Sequence, residues 1–441
     1  MIKQTKLLMT GLSVAAIMAL SGCTGNNATP KSNESSLLVA YANIATTNYN
    51  DALNDAKALK VAIEKFTANP TEKTLADAKA AWIVSRESYG QTEIFRLANG
   101  PIDAEDGWVA DKYGAVEGQL NAWPLDENMI DYTTNAQGKT TKGNIIDTKG
   151  VFKPSGDEST SVDVTNITVD ALTDLNENGG DANVATGYHS IEFLLWGQDQ
   201  DYSNFVKDSV TKGAMTAGQR PLTDYTTDAN KDRRKAYLNA AAQKIVHDLT
   251  IVANAWDKDD NTNYRAALLG KNADASKNIA LDDAKKDIFA GMGVFIKSEL
   301  ANERIAVAVL TPSEEDEHSC FSDNTHRDIA QNYQGFKNIL MGTYNGKDYG
   351  SAPIDALDAE SKKEILSLMA KIEVKIESIN EVAKTSRHFD YQIRPNDPQA
   401  KVIVKLKNEL RKLGDKMVSV ASANGINLSV EDVTDAEETK L

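Results

Sequence analysis

His189 and Glu192 stand three positions apart in Ala185-Thr186-Gly187-Tyr188-His189-Ser190-Ile191-Glu192, where a long polar stretch gives way to an apolar run. Three-residue spacing puts both side chains on one helix face, where an imidazole and a carboxylate can share a cation. That donor pair suits iron or zinc better than calcium. A helix-start polar pair is the other reading: Glu192 near the positive helix end, His189 hydrogen-bonded in a core. A second constellation runs from Glu314 to Asp328 and gathers His318, Cys320 and His326 among several carboxylates. All three are competent transition-metal ligands. Its alternative is a structural loop. Thr311-Pro312-Ser313-Glu314 reads as a capped helix start, which accounts for acidic residues in a first turn but not for two histidines and a cysteine. Glu93 and Asp103 are further carboxylates that could complete a site built on His189 and Glu192, or act only in surface salt bridges. His247 and His388 read as surface or structural residues.

The elements that must position these groups are helical. Tyr49, Leu53, Ala56, Ile63 and Phe66 share one face, as do Leu75, Ala78, Trp82, Ser85 and Tyr89. Asn69-Pro70-Thr71-Glu72 reads as a helix start with Asn69 as cap and Pro70 in the first turn. From Asp131 to Thr186 the helical period vanishes into a loop rich in Thr, Gly, Asn and Asp, and a loop of that length is usually functional. Helices are expected again over about 231–256 and 281–310, around Ile365 to Val382, and from the cap-plus-proline Asp397-Pro398 through Leu406, Leu410, Leu413 and Met417. The expected fold is mainly α, as two antiparallel helical-bundle domains with long functional loops. The expected boundaries are 37–230, which contains the His189 segment, and 231–441. A weak echo between the segments at 86–103 and 298–327 suggests that the two are related by duplication.

The chain begins with Lys3 and Lys6, then an apolar run from Leu7 to Leu20, the order of a secretory signal and too short to span a bilayer. Leu20-Ser21-Gly22-Cys23 resembles the lipobox of bacterial lipoproteins. The resemblance implies a signal peptide over 1–22, lipid on Cys23, and a flexible polar tether over 23–36. Thr24, where Asp would retain such a protein at the inner membrane, implies the outer membrane, facing periplasm or cell surface. With Cys23 lipidated, Cys320 has no intrachain partner, so no disulfide framework is expected. A net charge of −16 argues against nucleic acid.

The segment Gly187-x-His189-x-x-Glu192 resembles the GxHxxE motif of the imelysin family. The likeness extends through Phe193-Leu194-Leu195-Trp196-Gly197, Trp123-Pro124-Leu125-Asp126 and Ser298-Glu299-Leu300-Ala301 over nearly the whole mature chain. Within that family the 314–328 segment is similar to the iron-regulated protein A branch. The resemblance implies two helical bundles with the motif near their interface, a role in bacterial iron uptake, and, for some members, a metallopeptidase label. Binding of iron or an iron-bearing ligand, with His189 and Glu192 as ligands and envelope proteins as partners, is favoured over catalysis. The HExxH helix of many zinc peptidases is absent, as are phosphate-binding loops and a GxSxG elbow.

Overall fold

The computed structural model describes residues 34–135, 137–199, 212–312, 316–436 and 438. The expected signal peptide, Cys23 and most of the tether lie outside them. Glu314 and Glu315 do too.

Helix α1 (Glu34–Ala68) takes in the last three residues of the expected tether. Its apolar face, Tyr49 to Phe66, is buried throughout. Each such aliphatic or aromatic side chain removed from water contributes roughly 1.5–3 kcal/mol. Helix α2 (Glu72–Thr92) is capped by Thr71, not by Asn69. The Thr71 hydroxyl accepts from the Thr74 amide, and Thr74 answers with its own hydroxyl. Thr71 wins because its extended backbone presents the side chain to the third helical N–H, which Asn69, two residues earlier, cannot reach.

Helix α3 (Gly187–Trp196) carries the motif and is buried at every position. Helix α4 (Lys231–Ala255) packs on both α1 and α3, and α2 on α1. The helix expected to open a second domain at 231 thus also closes the first bundle. Helix α5 (Leu281–Val294) continues without a break into a π-helix, Phe295–Ala306, and a last α-turn, Val307–Leu310. Helix α6 (Thr325–Met341), α7 (Ala359–Thr385) and α8 (Pro398–Ala423) complete the second set; α8 lies along the π-helix, α5 and α7. Asp397 caps α8 through the Gln399 amide, with Pro398 in the first turn, as the sequence leads one to expect. The described residues at 316–324 form turns rather than a helix, so the helix start read at 311–314 does not continue into them.

Between Asp131 and Thr186 the chain is irregular, relieved by a two-residue antiparallel pair (Val151–Phe152 with Val162–Asp163, Val151 opposite Asp163) and one short helix, Val169–Leu175. A second such pair joins Thr343–Tyr344 to Lys347–Asp348. Helix α6 packs against α2, bringing the loop before it down onto α3. That junction holds the site. Among the described residues no helix is long and apolar enough to cross a membrane.

Candidate metal centre

Gly187 explains how the motif helix is seated. Its φ is +84°, and a Cβ there would stand 2.5 Å from the Leu120 carbonyl oxygen, so only glycine lets α3 start against the turn at 117–120. Two residues on, His189 points inward and is fully buried. Its Nδ1 lies 3.0 Å from Glu192 Oε2. Glu192 Oε1 accepts from the amide and hydroxyl of Ser322, at 2.9 and 2.7 Å, on the loop before α6. That loop also supplies His318, whose ring meets His189 edge-on with centroids 4.8 Å apart. His318 repeats the arrangement with another carboxylate. Its Nδ1 is 2.8 Å from Asp328 Oδ2, in the first turn of α6, and Asp328 is paired with the buried Arg86 of α2 at 3.1 Å.

The two imidazoles are thus held alike, each by a carboxylate on Nδ1, with Nε2 left for something else. His318 Nε2 has a long contact with Asn121 at 3.5 Å; His189 Nε2 is buried with no hydrogen-bond partner. Burial pushes both histidines down, with the neighbouring ring adding to the effect on His189 and Arg304 to that on His318, which falls to about 4. Both rings are therefore neutral at pH 7, the state that binds metals. Burial also pushes Glu192 up to about 8 despite the Ser322 donors. Metal-binding histidines characteristically give their other ring nitrogen to a carboxylate, which fixes tautomer and orientation. Neutral imidazoles backed by carboxyl groups have the donor chemistry a transition-metal cation takes.

Trp123 packs on His189 at 4.9 Å and, with Asn121 and His318, walls a cavity of about 440 Å³ on the outer side. Across it stand Glu117, Arg96, and Glu299, Glu303 and Arg304 of the π-helix. Arg96 Nη1 lies 3.4 Å from Glu117 and 3.1 Å from Glu299. The two carboxylates respond oppositely. Burial raises Glu117 to about 7, whereas Arg96 and Arg304 outweigh burial at Glu299 and hold it at about 2.

A profile of the imelysin family matches residues 45–417. The chain belongs to the imelysin family. It is 23% identical over 300 residues to iron-regulated protein A of Synechococcus elongatus, covering 68% of this chain and 62% of that protein, so the match takes in about three fifths of the relative's length. The crystal structure of a Parabacteroides distasonis chain assigned as an iron-regulated protein A precursor shares the fold. Its TM-score is 0.55 at 18% identity, over 89% of this chain and 97% of that one.

For this imelysin the structure brings His189, Glu192 and His318 together and distributes the other candidates. Glu93 is buried one layer back, 2.5 Å from Arg304 and 3.4 Å from Asn121. Asp103 secures the Leu97 amide at 2.7 Å within its own loop. His326 turns to the Asp323 carbonyl at 3.1 Å, and Cys320 is buried in the same loop. Among the described residues no three His, Cys, Asp or Glu side chains are assembled to hold a metal. Sequence reasoning missed Asp328, Asn121, Ser322 and Arg86 as members of the site. Arg86 left a signal: it shares the face of α2 that carries Trp82 and Tyr89, a charge on a core stripe.

Proposed function

We propose that this chain is an iron-uptake lipoprotein of the bacterial outer membrane, anchored through Cys23, that captures a transition-metal ion, iron, at His189 and His318 without catalysing a reaction. The observation that carries the reading is the pair of carboxylate-backed neutral imidazoles, one with a buried and unsatisfied Nε2. A buried polar nitrogen without a partner costs on the order of 1–3 kcal/mol, and a cation bound there would remove that cost. The names of the two relatives point to iron, and the donor chemistry also accommodates zinc. Glu192 and Asp328 act here as positioning residues that hold the rings. Capture ranks ahead of metallopeptidase chemistry because a hydrolytic zinc centre draws three ligands from the protein, and no three such side chains assemble among the described residues. Onward transfer would fall to a partner protein of the envelope.

Metal content and titration of the purified chain test the reading. Stoichiometric iron or zinc should bind and be lost in His189→Ala/His318→Ala, with helical circular dichroism retained. Metal binding unchanged in that variant would overturn it. Cys23→Ser should move the protein from the membrane pellet to the soluble fraction, and retention in the pellet would remove the lipoprotein assignment.

A further inference from the structure

The cavity outside His318 has a pronounced charge. Its wall carries six carboxylates, Glu117, Glu177, Asp181, Glu299, Glu303 and Asp316, against two guanidiniums, Arg96 and Arg304. Arg304 is committed within the protein, whereas Arg96 turns only Nη1 to its carboxylates and keeps a buried Nε without a partner. Arg304 Nη2 is taken by Glu93 at 2.5 Å and Glu299 at 2.9 Å, and its Nη1 by Asn332. Arg96 lies among Glu93, Glu117 and Glu299 at 3.5, 3.4 and 3.1 Å. An anion entering here meets carboxylates that outnumber the guanidiniums three to one. A cation meets a wall of net negative charge, and a cleft of one sign with low-dielectric walls concentrates the opposite charge. Beyond the wall, touching the cavity-lining His318 and Trp123, stands the ring of His189 with its unsatisfied Nε2. Volume does not discriminate, since about 440 Å³ would hold either a hydrated ion or a small chelate. Charge does.

We propose that the cavity admits the bare hydrated metal dication and rejects metal carried as an anionic chelate, a specificity set by its acidic wall. This rests on the reading of His189 and His318 as the metal-binding pair.

The test compares ferrous ion under anaerobic conditions and zinc ion with ferric citrate, titrated calorimetrically into the full-length chain in detergent. Three proteins are used: the natural chain, His189→Ala, and the wall variant Glu177→Gln/Asp181→Asn/Glu303→Gln, whose changes all fall on exposed positions. The natural chain should bind both dications and not ferric citrate. The wall variant should bind the dications about tenfold more weakly at low salt, the gap closing to within about twofold in 0.5 M salt as screening removes the field. Thermal melts confirm that the variant is folded. Ferric citrate binding as tightly as the dications would overturn the inference. So would a wall variant that matches the natural chain at low salt while His189→Ala has lost binding; the metal-site reading then survives alone. Dication binding that is absent everywhere, or unaffected by His189→Ala, sinks both.

Discussion

Helix α3 touches two buried charged clusters of opposite character. Toward its C-terminal end, the Phe193 carbonyl accepts from Arg220 at 3.2 and 3.3 Å. Arg220 and Arg234 converge on Asp131, at 2.7 Å each, and a second Arg234 bond of 3.0 Å makes that contact two-pronged. Asp224 takes Arg220 and the Tyr132 hydroxyl, Asp228 takes the remaining arm of Arg234, and Tyr132 lies under both guanidiniums at 5.5 Å. Each charge there has its opposite, and the cluster is closed. Toward the N-terminal end of the same helix, His189 and Glu192 satisfy each other on one side and leave Nε2 with nothing on the other. Both clusters are desolvated, so burial alone does not separate a structural network from a binding one. What separates them is whether the chain supplies every partner.

The largest effect should come from breaking the closed cluster. Asp131→Ala removes the carboxylate that two buried guanidiniums share and should cost about 3–5 kcal/mol in urea denaturation, with metal affinity intact in the protein that remains folded. A loss under about 1 kcal/mol would mean that the cluster is no more closed than the other.

Next comes the cavity wall, where Glu299 and Glu117 flank Arg96 with opposite shifts. Glu299 ionises at about 2 in the fold against 4.5 in an ordinary chain, so its contribution is present above pH 4.5 and lost as pH falls toward 2. For a partly exposed group this amounts to roughly 2–3 kcal/mol, and Glu299→Gln should remove that acid-side slope. Glu117, raised to about 7, has the opposite sign. Its contribution is full below pH 4.5 and is lost as pH rises to 7, so Glu117→Gln should flatten stability in that window. Urea melts at pH 3, 5 and 7 read both. Identical slopes in the two variants would refute the opposed assignment.

These contrasts mark how far the sequence could be read. Periodicity located the long helices because an apolar stripe at spacings of three and four has few other uses. It also predicted one helix over 281–310, but residues 295–306 wind as a π-helix, and no spacing rule announced that Glu299, Glu303 and Arg304 would share a cavity wall. His189 and Glu192 were legible because a resemblance names them and one helix turn relates them. His318 stood out only as part of a dense segment. Its pairing with Asp328 spans a turn, and Arg86 and Asn121 reach Asp328 and His318 from 242 and 197 residues away in the chain. Contacts made by folding across such distances leave no local pattern. Cys320 and His326 show the converse, since chemical competence in a dense segment did not bring them to the histidine pair.

Within the open cluster, the positioning carboxylate should matter more to metal than to folding. Glu192→Gln keeps a hydrogen bond to His189 and resembles the protonated acid present at neutral pH, so stability should move by no more than about 1 kcal/mol. Metal affinity should fall 10- to 100-fold, because a cation on His189 favours release of the Glu192 proton and Gln cannot become the carboxylate that orients the ring. Unchanged affinity would make Glu192 a packing residue and the two ends of α3 equivalent.

The smallest change probes what holds Glu192 itself. Ser322 gives two donors to Oε1, and Ser322→Ala removes only the hydroxyl, leaving the amide at 2.9 Å. The cost in stability should be about 1 kcal/mol, the usual net worth of one hydrogen bond. Loss of a donor to the ionised form should also move Glu192 further up from its already raised value. Metal affinity at pH 7 should then drop a few-fold and recover by pH 9, where the carboxylate ionises with or without the hydroxyl. A drop that persists at pH 9 would show that Ser322 acts by placing the loop that carries His318 rather than through the Glu192 charge. The open cluster would then be held together by its geometry alone, as the closed one is by its charges.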